Sequence, residues 1–180
     1  ASRLFFMMAK VTALRVQKRN QQRVNVYLDG EYRLALYAVD AAALRLGQEL
    51  TDEQIAALQA GDQRQKVYNH ALQFLAHRPR SEQEVRRRLG EKEYPPEAIE
   101  AALARLRELA LLDDLAFARY WIEQREQFRP RSPAMLRYEL AQKGVARDVI
   151  ATALESVDEM QSADQAAQRW LAQHAGVAPE

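Results

Sequence analysis

The sequence predicts a mainly helical protein in which tandem three-helix repeats, stacked into an elongated and curved body, follow a small three-stranded antiparallel β-meander. Three observations predict this fold class. Glycine and proline number only six each among 180 residues, and such a composition favours helices. Apolar and polar residues alternate from Val11 to Tyr37, which is the period of a β-strand. The tetrapeptide Arg-Pro-Arg-Ser occurs twice, at Arg78 and again at Arg129.

The meander is predicted between residues 11 and 37. Residues 18–22 are polar and form the first loop, and Asp29-Gly30 is typical of a tight hairpin turn between two strands. The alternation indicates one buried face. Because three strands alone are only marginally stable, other elements must cover that face.

Two short helical segments that follow the meander are the candidates for this cover. The first is predicted over residues 39–46 and ends at Gly47. The second begins at Thr51, whose pairing with Gln54 makes a capping box, and ends at Gly61.

Beyond these segments every predicted element is a helix, and several of the helices begin at a recognisable capping residue. Ser81 and Glu84 form a capping box, and Ser132 precedes a proline at the first helical position. Either Asp113 or Asp114 caps the helix between them, since a carboxylate there complements the positive helix end.

The repeated tetrapeptide marks a three-helix module of about 50 residues. The same offset pairs Val85 with Leu136, Arg86 with Arg137, Leu89 with Leu140, Ile99 with Ile150 and Leu103 with Leu154. A further copy begins at Ser162, with Gln165 completing its cap, and the chain ends after its first helix. The predicted divisions are a tail or upstream remnant over 1–10, the meander and two helices over 11–61, one repeat over 62–110, a second over 111–158, and the start of a third over 159–180.

The composition disfavours several function classes. Cysteine is absent, so the chain holds no disulfide, thiolate nucleophile or thiolate metal site. No glycine-rich phosphate loop is present, and the apolar run Leu4–Ala9 is too short to span a bilayer. His70 and His77 share a helix face, but a polar helix edge explains them better than a metal site does. We therefore expect no enzyme, no cofactor, no metal ion and no membrane contact.

Basic residues form the candidate binding surface. The net charge is only +1, yet residues 61–90 carry +4 and residues 151–180 carry −4. The candidates in the repeats are Arg78, Arg80, Arg86, Arg87, Arg88, Arg129, Arg131 and Arg137, and those beside the first hairpin loop are Lys18, Arg19 and Arg23. The repeat predicts that the two arginine sets stand on equivalent corners, an arrangement that suits a partner with its own period.

Two interpretations of these cations stay open. They contact an acidic protein surface or DNA phosphates, or they are solvated faces that Glu82 and Glu84 partly neutralise, with the strand cations preventing edge-to-edge aggregation. The aromatic residues Phe117, Tyr120, Trp121 and Trp170 also allow two interpretations. Stacking on bases is one, and packing between modules is the one the helical spacing favours.

Three segments in a fixed order resemble the RecX regulators of the bacterial RecA recombinase. They are residues 80–85 (RSEQEV), 109–118 (LALLDDLAFA) and 139–145 (ELAQKGV), and residues 16–29 resemble the β-hairpin extension of many members. The resemblance covers residues 11–172. This chain departs from the family at Ser132, where members often have glycine, and in ending inside a third repeat where members usually have three.

The resemblance implies a monomeric regulatory protein of the bacterial cytoplasm with tandem three-helix repeats and no catalytic residues. Family members bind the groove of the RecA–single-stranded DNA filament and limit its ATPase, growth and strand exchange, which tempers recombination, DNA repair and the SOS response. Whether such a protein caps filament ends, lies in the groove or promotes protomer release stays open. Direct binding of single- or double-stranded DNA without RecA is the alternative, since capped three-helix modules can resemble helix-turn-helix units.

Overall fold

The computed structural model describes residues 8–155, 157 and 167–172. The strands are β1 (Met8–Val16), β2 (Arg23–Leu28), β3 (Glu31–Tyr37) and β4 (Glu49–Thr51), and the helices are α1 (Ala38–Ala41), α2 (Asp52–Leu75), α3 (Glu82–Gly90), α4 (Pro96–Glu108), α5 (Asp114–Phe128), α6 (Pro133–Gln142) and α7 (Arg147–Leu154). Residues 167–172 are also helical. The chain divides into two compact units, one up to Val67 and one from Tyr68 onward, with the boundary inside α2.

The first unit contains a four-stranded antiparallel sheet in the order β3-β2-β1-β4. The three predicted strands are confirmed, and β4 is an addition. The strand β1 begins at Met8, earlier than the predicted start at Val11, because its first three residues pair with β4. A β4 of three residues has too few positions to show an alternating pattern, which is why the sequence did not reveal it.

The predicted turn at Asp29-Gly30 is confirmed, and both residues have positive φ, at 51° and 88°. A β-bulge between Val11 and Ala13 interrupts the register of β1 against β2. The side chain of Thr12 occupies this bulge, donating to the Tyr27 carbonyl oxygen at 3.2 Å and accepting from the Gly30 amide at 2.9 Å.

One face of the sheet packs against α1, the loop after it and the start of α2, and it makes the core of the first unit. The buried residues of this core are Val11, Val24, Val26, Leu28, Leu34, Leu36, Ala41, Leu44, Leu50 and Ile55. The predicted helix over 39–46 is shorter than expected and ends at Ala41. The chain leaves the helix because Gly47 and Gln48 exchange backbone hydrogen bonds of 2.8 Å with Val11.

The capping box at the start of α2 is confirmed, since Thr51 and Gln54 donate to each other's side chains at 2.9 and 3.2 Å. The predicted helix end at Gly61 is wrong, because α2 continues without a break to Leu75. One glycine inside a helix costs only about 1 kcal/mol. Immediately after it, Asp62 is buried and forms an ion pair with Arg23, and this tertiary contact requires the helical backbone to continue.

The second unit contains the tandem three-helix repeats that the sequence predicts. Residues 68–75 of α2 with α3 and α4 form the first, and α5, α6 and α7 form the second. The backbone repeats closely: Ser81 has φ −73° and ψ 157°, and Ser132 has φ −63° and ψ 153°. The corresponding residues Glu93 and Gly144 both have positive φ. The paired apolar positions are buried in both repeats, from Val85 and Leu136 through Leu103 and Leu154.

The predicted caps in this unit are confirmed. Ser81 and Glu84 make both hydrogen bonds of a capping box, and Ser132 accepts from the Met135 amide at 3.3 Å. Of the two candidate aspartates Asp113 is the cap, because its side chain accepts from two amides of the first turn at 2.8 and 3.1 Å.

Part of the prediction falls on residues that the structure does not describe. The predicted tail over 1–10 falls outside them up to residue 7, and so do the capping residues Ser162 and Gln165 of the predicted third repeat. The existence of that repeat and the curvature of the repeat array therefore stay predictions.

Candidate partner-binding surface

The two repeats meet where the beginning of α3 packs on the chain just after α6. Ser81 is fully buried there, and its hydroxyl donates to the Lys143 carbonyl oxygen at 2.6 Å while accepting from the Glu84 amide at 3.2 Å. The ammonium group of Lys143 in turn donates to the Glu84 carboxylate at 3.0 Å. One capping box therefore also joins the first repeat to the second.

Gly144 permits this close approach for two reasons. Its φ is +79°, a backbone conformation that residues with a side chain rarely adopt. A Cβ atom at this position would also lie 2.4 Å from the Cβ of Gln83, far inside van der Waals contact. Together with Lys143 and the buried Val145, Gly144 gives the Lys-Gly-aliphatic sequence a clear structural role at the repeat junction.

Three carboxylates at the junction have shifted pKa values. Burial opposes the ionisation of Glu84, but hydrogen bonds and charge from Lys143 outweigh it and hold the pKa below the ordinary value. Burial raises the pKa of Asp114, although its carboxylate accepts from the Glu82 amide at 2.8 Å. Burial also opposes ionisation of Glu139, and the hydrogen bonds from Arg125 and Trp121 lower the pKa of that carboxyl group overall.

The indole of Trp121 is part of the junction rather than an open stacking platform. Its Nε1 donates to Glu139 at 2.8 Å, and the same carboxylate oxygen accepts from Arg125 at 2.7 Å. The guanidinium carbon of Arg125 lies 4.5 Å from the centroid of the Trp121 ring, and the Lys143 ammonium lies 4.3 Å from it. Phe117, its neighbour, lies in the core of the second repeat, so it packs within one module rather than between two.

A cleft of about 330 Å³ opens between α3, α5 and α6. The residues that line it are Gln83, Glu84, Arg87, Trp121, Arg125, Tyr138, Glu139, Gln142 and Lys143. Four of them are exposed: Gln83 and Arg87 on α3, and Tyr138 and Gln142 on α6. Arg87 and Tyr138 occupy corresponding positions of the two repeats, so the first repeat contributes an arginine to the cleft and the second contributes a tyrosine.

Most arginines of the first repeat are engaged within the protein. Arg86 donates to Glu82 at 2.9 Å and to Glu100 at 3.0 Å, and its pKa is raised, chiefly by the hydrogen bond to Glu100. Arg88 pairs with Glu91 at 3.2 Å, and Arg78 lies 3.8 Å from Glu84.

Arg80 is engaged in a different way, since its guanidinium lies over an aromatic ring. Its guanidinium carbon is 4.1 Å from the ring centroid of Phe74, and its Nε atom is buried without a hydrogen-bond partner. Burial lowers the pKa of Arg80, and the neighbouring charge of Arg78 lowers it further. A partner could reach this side chain only in part.

The arginines of the second repeat are freer. Arg129 and Arg137 are exposed, and neither has an ion pair with any carboxylate in the described part of the chain. Arg131 lies 3.9 Å from Glu139, at the limit of an ion pair. Arg87 is the one residue of the first-repeat set that shares this freedom among the described residues.

The prediction that the two arginine sets stand on equivalent corners is therefore wrong. The backbones correspond, but the surroundings differ, because the second repeat covers the corner of Ser81 whereas Ser132 is exposed. The sequence repeat showed which residues correspond along the chain. It could not show that Lys143, 62 positions after Ser81, packs on only one of the two corners.

The candidates in the first unit also separate into two kinds. Lys18 and Arg19 are exposed in the loop after β1. Arg23 is buried, forms its ion pair with Asp62, donates to the Ala35 carbonyl oxygen at 3.0 Å and lies over the Tyr37 ring. The assignment of Arg23 to a binding surface is therefore wrong, since this residue joins β2 to α2 inside the first unit.

Two further observations concern what the described residues contain. They include no group of three or more histidine, cysteine, aspartate or glutamate side chains placed to hold a metal ion. Within the same residues, no helix combines the length and the apolar character that crossing a membrane requires.

Comparisons with known proteins agree with this division of the chain. Three family models match in sequence order: the N-terminal domain of the regulatory protein RecX over residues 9–51, the first RecX three-helix domain over 68–106, and the second over 113–154. The matched ranges coincide with the sheet and with the two repeats.

Curated relatives carry the name regulatory protein RecX. The protein of Bacillus subtilis is 36% identical over 151 residues, which are 81% of this chain and 56% of the relative. The protein of Halalkalibacterium halodurans is 36% identical over 176 residues, which are 94% of this chain and 65% of the relative. The chain therefore spans 56% of the length of the first of these relatives and 65% of the length of the second.

Solved structures extend the similarity to three dimensions. A crystal structure of regulatory protein RecX superposes with a TM-score of 0.76 at 30% identity, covering 96% of this chain and 86% of the other. A crystal structure of RecX from Lactobacillus salivarius shares the fold, with a TM-score of 0.57 at 20% identity over 66% of this chain and 79% of the other. With its sheet and both of its repeats matched, the chain belongs to the RecX family of regulatory proteins.

Proposed function

We propose that this chain binds the RecA filament on single-stranded DNA in the bacterial cytoplasm and inhibits its ATPase, growth and strand exchange. The observation that carries the proposal is the ordered match of the sheet and both repeats to RecX domains. The relatives are named as regulatory proteins rather than as enzymes. The proposed activity is accordingly binding without chemistry, and it bears on recombination, DNA repair and the SOS response.

The contacts proposed for the partner are those predicted basic residues that are exposed and have no internal ion pair. In the second unit these are Arg87, Arg129 and Arg137, with Arg131 weakly engaged, and in the first unit they are Lys18 and Arg19. Arginines held by carboxylates, such as Arg86, would have to break an ion pair before they could bind. The free residues can bind acidic side chains or phosphates without that cost.

The test is the RecA ATPase on single-stranded DNA, measured at fixed salt with and without this protein. We expect inhibition by the wild type, and an inhibition constant about 5- to 30-fold weaker for the double variant R129A/R137A, since each lost charge-assisted contact is worth roughly 1 kcal/mol or slightly more. The matched control is R88A, which also removes an exposed arginine but one that Glu91 already pairs. R88A should inhibit like the wild type.

The alternative is a protein that binds DNA directly and acts without RecA. Its signature is a steep salt dependence of DNA binding in the absence of RecA, together with loss of ATPase inhibition once single-stranded DNA is in excess. An unchanged ATPase rate at saturating protein would contradict the proposed function, whatever the DNA affinity.

A further inference from the structure

We propose that the cleft between α3, α5 and α6 binds one nucleotide of single-stranded DNA, with the base stacked on Tyr138 and the adjacent phosphate on Arg87. The site is formed only where the two repeats meet, because Arg87 comes from the first and Tyr138 from the second. It does not depend on the proposed function, since it concerns binding of DNA by this chain alone.

Of the three cationic side chains that line the cleft, only Arg87 is available to bind an anionic group, because carboxylates pair with the other two among the described residues. Lys143 is paired with Glu84 at 3.0 Å and Arg125 with Glu139 at 2.7 Å. Arg87 is exposed and has no carboxylate partner among the described residues. One free cation suits one phosphate. A peptide with several carboxylates fits poorly, because it would bring further negative charge toward Glu84 and Glu139.

The aromatic groups of the cleft indicate what accompanies that anion. Tyr138 is 61% exposed, so its ring is open to a planar ligand. Trp121, the other aromatic residue of the lining, is packed against two cations and its indole nitrogen is already hydrogen-bonded. A base that stacks on an exposed tyrosine while its phosphate meets an arginine is the usual arrangement in proteins that bind single strands.

Two amide side chains complete the lining. Gln83 on α3 and Gln142 on α6 both face the cleft, and neither has a hydrogen-bond partner among the described side chains. An amide offers both donors and an acceptor, so these groups can bond to the edge of a base of any kind. The volume of about 330 Å³ lies at the lower end of the range for ligand sites, which favours one nucleotide over a larger ligand.

The test compares two fluorescent 15-residue oligomers at fixed salt without RecA, one of thymidine and one with abasic sites at every position. Both carry the same phosphates, so their difference in affinity measures base stacking. We expect the wild type to prefer the thymidine oligomer by about 5-fold or more, since stacking on an aromatic side chain contributes at least this factor. Y138A should lose the preference and Y138F should keep it.

The phosphate contact is tested on the same oligomers with two neighbouring arginines. R87A should weaken binding of both oligomers by a similar factor. R88A is the matched control, since Arg88 is adjacent in sequence, equally charged and absent from the cleft lining, and it should bind like the wild type. In a W170F background the fluorescence of Trp121, which lines the cleft, should change when thymidine oligomer binds and stay unchanged in Y138A.

Several results would overturn the proposal. They are no measurable binding of the thymidine oligomer, equal affinity of the wild type for both oligomers, a preference that persists in Y138A, or equal weakening by R87A and R88A. Competition by a polyglutamate peptide as effective as competition by DNA would assign the cleft to an acidic protein segment instead. Because Tyr138 is exposed, its truncation should leave the fold intact, and circular dichroism of each variant checks this.

Discussion

At the scale of single residues, Gly144 shows how one position can decide whether two repeats fit together. It combines a positive φ with a neighbour that would touch any added Cβ atom. The sequence alone indicated that a glycine would close α6, since glycine commonly ends helices. It could not indicate the second reason, because Gln83 lies more than fifty residues earlier and only the packing of α3 brings it close.

We predict that G144A destabilises the second unit by about 1–3 kcal/mol, since both the backbone conformation and the contact with Gln83 become unfavourable. The measurement is urea unfolding followed by Trp121 fluorescence in a W170F background. G90A is the control, because Gly90 has an ordinary φ and nothing within 4 Å of an added Cβ. If G90A lowered the free energy of unfolding as much as G144A does, the special role of Gly144 would be contradicted.

The candidate binding residues illustrate the same limit of sequence information. Composition and repetition selected the basic residues as a group, yet they could not separate Arg129, which has no ion pair among the described residues, from Arg86, which two carboxylates hold. Arg23 was the largest error. Its position beside a polar loop is typical of a surface residue, and only the passage of α2 past β2 buries it against Asp62.

At the scale of elements, the helices and their caps were largely predictable because the relevant signals are local. Capping boxes at Thr51 and Ser81 involve residues three apart, and the structure contains both. The errors arose where a distant contact overrides a local signal. Gly61 reads as a helix end, but α2 continues through it, and β4 exists only because β1 offers an edge with which it can pair.

The continuity of α2 leads to a second prediction, that G61A stabilises the protein by about 0.5–1 kcal/mol. Alanine has the higher helix propensity and restricts the unfolded chain. The nearest atom to an added Cβ is the far end of the Arg64 side chain at 4.0 Å, so no clash opposes this gain. The measurement is the free energy of unfolding in urea. Destabilisation by G61A would indicate that the helix is interrupted at this residue.

At the scale of the whole molecule, the stability should depend on pH through the carboxylates of the repeat junction. Glu84 and Glu139 have pKa values below the ordinary range in the folded state. A lowered folded pKa contributes stability above the unfolded pKa, and this contribution is lost as the pH falls through the folded pKa. Asp114 opposes the trend, since its raised pKa favours folding when the group is protonated.

We therefore predict that E84Q loses less stability than the wild type between neutral pH and a pH of about 3.5, a value below the ordinary glutamate pKa. Glutamine retains the shape of the side chain but cannot titrate, so the pH-dependent contribution of the Glu84–Lys143 ion pair to the free energy of unfolding disappears. Urea unfolding at both pH values measures the difference. E91Q removes an exposed carboxylate and should follow the wild type. Equal acid sensitivity in E84Q and the wild type would contradict the assignment.

Gly144 in the second repeat corresponds to Glu93 in the first, and this difference fixes the order in which the two repeats can follow each other. A helix can dock onto the loop of the second repeat because Gly144 has no side chain there. The first repeat has a glutamate at the corresponding position, so a helix that docked on its loop in the same way would meet the Cβ atom of Glu93. The two modules are consequently not equivalent, and a gene rearrangement that reversed their order would place a glutamate where the present junction has its glycine.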